Sequence, residues 1–294
     1  MAPPAASQPD LAHAHVAALS TGGPVDPSFR VTLNFHPDRL VGGPGGTPIL
    51  EMMACDGRYR SQFETGTSNG GLTAHPGGDR WRWESRIFDG AYDDEHPENR
   101  PKYGSLNFRG RTIGGSPRFG SAHFRLTAET LDRTTFCYPD SHEEPEHFGV
   151  TAKVSTLVSM AEADDSRRDD ALDDYVEAHV HGELLVARDV EALVLDPCFR
   201  GNSIEESADR LGCSVEWHGG FRLSMDEMRL HPDYRGLEFV QLGEELARDG
   251  LLDPAIVGNA SRTGDYDQQS LKRVWHYLAR YGSSEMPPEP FVRE

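Results

Sequence analysis

Cations are scarce in this chain: 29 Lys and Arg stand against 48 Asp and Glu, a formal net charge of −19. Nucleic-acid affinity rests on Lys and Arg neutralising phosphates, so this balance argues against nucleic acid as a partner. It fits high solubility or a basic protein partner. Cysteine is thin as well. Cys55, Cys137, Cys198 and Cys213 form no CxxC pair, which disfavours a disulfide scaffold or a zinc ribbon and makes reduced core thiols the expectation. No apolar run approaches the length that spans a membrane. The start, MAPPAASQPDLAHAHVAALS, lacks the basic beginning and apolar core of a secretory signal, so a cytoplasmic protein, or one delivered by a specialised secretion route, is expected. No GxGxxG follows a strand, and neither a Walker A sequence nor a GxSxG elbow occurs. These absences disfavour Rossmann, P-loop and α/β-hydrolase chemistry.

What the chain does contain is loops and short apolar runs. With 30 Gly and 20 Pro, long connections are expected, while runs such as ELLVARDVEALVLD at 183–196 supply a core. Residues 1–25 read as a flexible, Pro/Ala/Ser-biased lead. FRVTLNF (29–35), YGSLNF (103–108), RFGSAHFRL (118–126) and RTTFCYP (133–139) read as strands, ILEMMA (49–54) as helix, and WRWESRIF (81–88) as a half-buried strand. Ser203 and Glu206 match a capping box for a helix that stops at Gly212. QQSLKRVWHYLARYG places Leu271, Val274, Trp275 and Leu278 at helical spacing. Strands first and helices last give an α+β protein, divided into a core at 26–200 and a helical part at 201–294.

Two segments carry the chemistry. YRSQFETGTSNGGL (59–72) is dense in small hydrogen-bonding groups and in glycines that let backbone approach a ligand. Gln62, Glu64, Thr65, Thr67, Ser68 and Asn69 offer contacts to an amide and to ribose hydroxyls, with Gly66 and Gly70 allowing close approach. YVEAHVHG (175–182) sets Glu177, His179 and His181 at alternate positions, so all three emerge on one strand face while Val176, Ala178 and Val180 point to a core. A carboxylate there can stabilise an oxocarbenium-like sugar. The same three side chains also admit a metal-dependent enzyme, and the charge admits a non-enzymatic acidic binding protein. His36 and Arg39, at the end of the first strand, face a cleft, and Arg39 or Arg60 could pair with a pyrophosphate.

Taken together, NFHPDR, DGRYRSQFETGTSNGG, RPKYGSLNF, FGSAHFRL and DYVEAHVHG resemble a bacterial effector family, formerly a domain of unknown function, that transfers ADP-ribose from NAD to a threonine of ubiquitin. The resemblance spans about residues 28–240. It implies an ADP-ribosyltransferase-like core of two small antiparallel sheets forming an NAD cleft, with NAD as substrate and a protein hydroxyl, such as a ubiquitin threonine, as acceptor. By this resemblance Glu177 holds the nicotinamide ribose and His36 or Arg39 anchors the dinucleotide. The Glu-x-Glu pair of the superfamily is absent, because Tyr175 stands two residues before Glu177. Asp174 is the expected helper, with His181 beside it, and Asp189 with Glu191 is the alternative pair.

Overall fold

β-Branched and aromatic runs separated by glycine and proline turns form the strands of one main sheet. In chain order they are β1 (Val31–Phe35), β2 (Lys102–Leu106), β3 (Ala122–Leu126), β4 (Thr134–Tyr138), β5 (His147–Val150), β6 (Val176–Val180), β7 (Val190–Leu195) and β8 (Ser214–Trp217). The helices that matter to the site and the core are α1 (Gln8–Leu19), α2 (Ile49–Asp56), α3 (Asp79–Ile87), α4 (Ser155–Asp164), α5 (Ser203–Asp209), α6 (Leu237–Leu246), α7 (Pro254–Thr263) and α8 (Gln268–Tyr281). The computed structural model describes residues 6–43, 45–66, 73–164 and 170–287. The α+β class expected from the sequence is what is seen.

The spatial order is β8-β7-β3-β1-β2-β6-β4-β5, antiparallel throughout except for the parallel β7–β8 pair. Two small sheets were expected; the chain instead forms one eight-stranded sheet whose two four-stranded halves barely join. β1 and β2 share only Val31↔Leu106 and Thr32↔Ser105, whereas β1–β3 pairs over four residues and β2–β6 over five. The reason for the split is local. Leu33 leans into the space that a Cβ at Gly104 would fill, so the strands stop exchanging ladder bonds and part. Asn34, Phe35 and His36 then face Lys102, Tyr103 and Gly104 across the opening.

Three apolar clusters hold the fold. The largest packs the sheet against α2, α4 and α5 through Leu33, Phe124, Phe136, Val176 and Leu193. A second gathers α6, α7 and α8 around Trp275, Tyr277 and Phe221. The third joins Ala12 and Val16 of α1 to Trp83, Phe88 and Cys137. The expected flexible lead is therefore in large part a helix. Ser7 and Asp10 form its capping box, and its buried face closes the sheet. Of the segment 81–88, residues 81–87 are helical too: Arg80, Trp83, Glu84 and Ile87 are buried at helical spacing, which the alternation of aromatics from 81 onward conceals. Asn202, not Ser203, caps α5. The helical C-terminal part begins at about Phe221, because α5 packs into the sheet's own core and β8 pairs within the sheet.

Candidate active site

A cavity of about 330 Å³ occupies the gap between β1 and β2, at the small end of the range for small-molecule sites, roughly 300–1,000 Å³. Its walls come from the ends of these strands, from α2, from the turn Asp140–Glu143 after β4, and from α8. Glu177 projects into it from β6. Period-two geometry sends Glu177 and His179 to one face while Val176, Ala178 and Val180 enter the sheet core.

Glu177 is only 5% exposed and is held on every side. His179 Nε2 lies 3.0 Å from Oε1, and the Ser141 hydroxyl donates to Oε2 at 3.1 Å. The Arg80 guanidinium sits 3.9 Å from Oε1 and donates to the Ser141 hydroxyl at 2.7 Å. Arg80 is itself stacked over Tyr103 at 4.0 Å. Burial opposes ionisation of Glu177, but the bond from His179 and the charge of Arg80 outweigh it, and the carboxyl stays below its ordinary range. This is a carboxylate fixed in position and kept charged in a place shielded from water.

Asp140 stands beside it, on the cavity wall where β4 ends. Tyr175, two residues before Glu177, donates its hydroxyl to Asp140. The second carboxylate thus comes from the neighbouring strand and is presented by the tyrosine. Burial, and then the charge of Glu177, raise the Asp140 carboxyl above its usual value, which makes it the more basic of the two.

The opposite wall is cationic. Seven cationic side chains of a strongly acidic chain line this one cavity: Arg39, Arg60, Arg80, Arg118 and Arg273, with Lys102 and Lys272. Several are engaged. Arg60 pairs with Asp56, Arg118 with Asp173, and Lys102 donates to the carbonyl oxygens of Glu98 and Gly182 at 2.7 and 3.0 Å. Lys272 and Arg273 have no carboxylate partner among the described residues. They share the cavity face of α8 with Gln269 and His276, at i, i+3, i+4 and i+7. The Lys272 ammonium is brought down to about 8 by burial and then by Arg118, Arg273 and Arg39. His276 receives the Arg235 Nε–H at Nδ1 (3.1 Å), so its proton sits on Nε2, a buried atom with no hydrogen-bond partner among the described residues. Concentrated positive charge beside an unspent N–H donor is the chemistry of an anion site.

Of the residues expected from sequence, Glu177, His36, Arg39, Arg60, Gln62 and Thr65 line the cavity. His36 is edge-on to Trp275 at 4.7 Å and is kept neutral, near 3, by burial and by Arg39. Glu64 does not line it: it pairs with Arg58 at 2.6 Å and caps the Ser61 N–H, while Gly66 ends that helical turn in the left-handed region. Thr67, Ser68, Asn69 and Gly70 lie outside the described residues. Asp174, the expected helper, does not line the cavity: it is buried and paired with Arg109. His181 lies beneath α3, bonded to Thr135 and Tyr92, and not on the cavity wall. Asp189 pairs with Arg188 and Arg133 and Glu191 with Arg30 and Arg125, so this pair lies elsewhere. Sequence reasoning missed Arg80, Asp140, Ser141, Arg118, Lys272, Arg273 and His276.

The metal alternative changes membership. The group with ligand atoms within 4.8 Å of one another is Cys137, Glu177 and His179, not Glu177, His179 and His181. It suits a cation poorly. Burial raises the Cys137 thiol, and the Arg80 guanidinium already neutralises the only carboxylate of the three.

An α+β protein whose main sheet parts over a cavity rich in cationic side chains is the class that fold and site define. The family model described as "Protein of unknown function (DUF3626)" matches residues 30–165 and 155–281, and the chain belongs to that family. No curated protein matches the chain.

Proposed function

We propose that the protein is a mono-ADP-ribosyltransferase that moves ADP-ribose from NAD to a protein hydroxyl, with a ubiquitin threonine as the acceptor that the sequence resemblance implies. The observation that carries this reading is the pairing of opposite chemistries in one cavity. Glu177 is a charged, buried carboxylate, and in the lining of the same cavity Lys272, Arg273, Arg118, Arg39 and the His276 N–H form an anion-binding wall. A dinucleotide needs both, with its diphosphate at the wall and its nicotinamide ribose at the carboxylate.

The chemistry follows from charge. The C1′–N bond to nicotinamide breaks, its electron pair leaves with the nicotinamide, and positive charge develops on the ribose. A fixed carboxylate stabilises that charge more in the transition state than in the ground state. The acceptor oxygen then bonds to C1′ and loses its proton to Asp140, whose raised basicity suits the role. Arg80 and Ser141 keep Glu177 charged and aimed.

Incubating the purified protein and its Glu177→Gln variant with labelled NAD and ubiquitin tests this, with nicotinamide release and protein labelling followed separately. Labelled ubiquitin that disappears in the variant supports the whole reading. Nicotinamide release without labelling moves the acceptor to another protein, and absence of both defeats the proposal.

A further inference from the structure

Behind Glu177 runs a hydrogen-bonded chain that the proposed reaction does not use. His179 Nε2 contacts Glu177 Oε1 at 3.0 Å, and His179 Nδ1 contacts Thr135 Oγ1 at 3.1 Å. Thr135 Oγ1 contacts His181 Nε2 at 2.9 Å, and His181 Nδ1 contacts Tyr92 Oη at 2.7 Å. Five side chains from three segments, all buried, are thus linked without a gap. The chain lies under α3 and the turn after it, with Trp83 over His179 and Phe88 over both imidazoles. Around it stand Cys137 Sγ at 3.8 Å, the Tyr103 ring 5.3 Å from His179 and the half-buried His13 ring 6.5 Å from His181; Arg133, on the His181 carbonyl oxygen, and Lys102 add positive charge near His181, while Ser141 and Arg80 meet Glu177.

With both imidazoles neutral, the protons can run along this chain in only two ways. A carboxylate can only accept, so an ionised Glu177 requires the His179 proton on Nε2. Nδ1 of His179 then accepts from Thr135, whose single hydroxyl proton is used there. The Thr135 oxygen must accept from His181 Nε2–H, and His181 Nδ1 accepts from Tyr92. Every donor in this sense points towards Glu177. The reverse sense needs a protonated Glu177 and leaves the Tyr92 hydroxyl, whose one hydrogen-bond partner among the described residues is His181, holding a buried proton that none of them accepts. An unmade buried donor costs more than an unused lone pair, so the tyrosine at the far end fixes the direction.

We propose that Tyr92, His181, Thr135 and His179 form a one-way donor chain that orients the Glu177 carboxylate and keeps it ionised. His181 and Thr135 are then positioning residues that never meet substrate. The kinetic consequences rest on the transferase reading; the proton arrangement does not. Both imidazoles are shielded from water and biased towards neutrality by that burial, consistent with two neutral rings in series.

The test is nitrogen-15 NMR of the histidine rings in the full chain, with kinetics on three variants. In the wild type both His179 and His181 are expected as neutral Nε2–H tautomers; an Nδ1–H tautomer or an imidazolium at either overturns the proposal. Tyr92→Phe removes only the hydroxyl at the head of the chain, so both rings should stay Nε2–H while the His181 Nδ1 resonance moves to that of an acceptor without a donor; an Nδ1–H tautomer at His181, or an Nδ1 resonance that does not move, also overturns it. Thr135→Val, close in shape, should lower kcat by about tenfold with KM for NAD unchanged, and Thr135→Ser should restore kcat. A Thr135→Val variant with wild-type kcat, or a loss that serine does not repair, contradicts the positioning role. If the tautomers are as stated but no variant and no wild type releases nicotinamide, the chain stands and the transferase reading fails.

Discussion

The two ends of the cavity are built on different principles. At the Glu177 end both carboxylates are fully engaged: His179, Ser141 and Arg80 hold Glu177, and Tyr103 and Arg100 hold Glu84 behind it. At the α8 end, like charges crowd together, and the His276 N–H is left unsatisfied among the described residues. On the proposed function, the first end is preorganised around charge that develops on the ribose, and the second supplies the positive charge and N–H donor that a diphosphate needs. Preorganisation shows in rates and an unsatisfied wall shows in affinity, so the two ends can be separated experimentally.

The largest effect is expected at the preorganised end. Glu177→Gln should reduce nicotinamide release by about 10²–10³-fold while NAD still binds, measured by single-turnover release and by calorimetric titration. Asp140→Asn should come next, cutting protein labelling by about 10²-fold while leaving nicotinamide release to water largely intact. Parallel loss of both activities would place Asp140 with Glu177 on the ribose and break the assigned division. At the other end, Lys272→Ala should weaken NAD binding by about tenfold, the scale of one charge-assisted bond, with kcat preserved.

The smallest effect is one of pH. The Lys272 ammonium, lowered to about 8 by burial and by Arg118, is charged below that pH and neutral above it. Its attraction for an anion is therefore present below about pH 8 and lost as the pH rises through it. The Kd for NAD should climb a few-fold between pH 7 and pH 9, and Lys272→Arg should flatten that rise, because guanidinium does not titrate there. An equal rise in the arginine variant would move the titration to another group.

How much of this could be read in the sequence depended on separation along the chain. The Glu177/His179/His181 face was legible because a strand's period of two is local, and α8 because its apolar spacing is local. What local pattern could not tell was which of the three faces the cavity. That is decided by α3 and Tyr92, which cover His179 and His181 and leave Glu177 open. Asp174 looked like the helper because it is near in sequence, yet Arg109, 65 residues away, holds it. Asp140 had no signal at all until β4 was laid beside β6, with Cys137 opposite Glu177. The cationic wall was hidden in the same way: Arg39, Arg118 and Lys272 come from three distant segments. Even the misread helix at 79–87 follows from this, since its buried period begins with Arg80, one residue before the aromatics that suggested a strand.

The central claim is that one cavity holds a dinucleotide by its diphosphate at α8 and by its ribose at Glu177. Calorimetric titration of NAD into the wild type, Glu177→Gln and Lys272→Ala tests it most directly. The account predicts saturable one-to-one binding that survives in Glu177→Gln and weakens about tenfold in Lys272→Ala. A wild type that binds no NAD, or binding indifferent to Lys272, would contradict it.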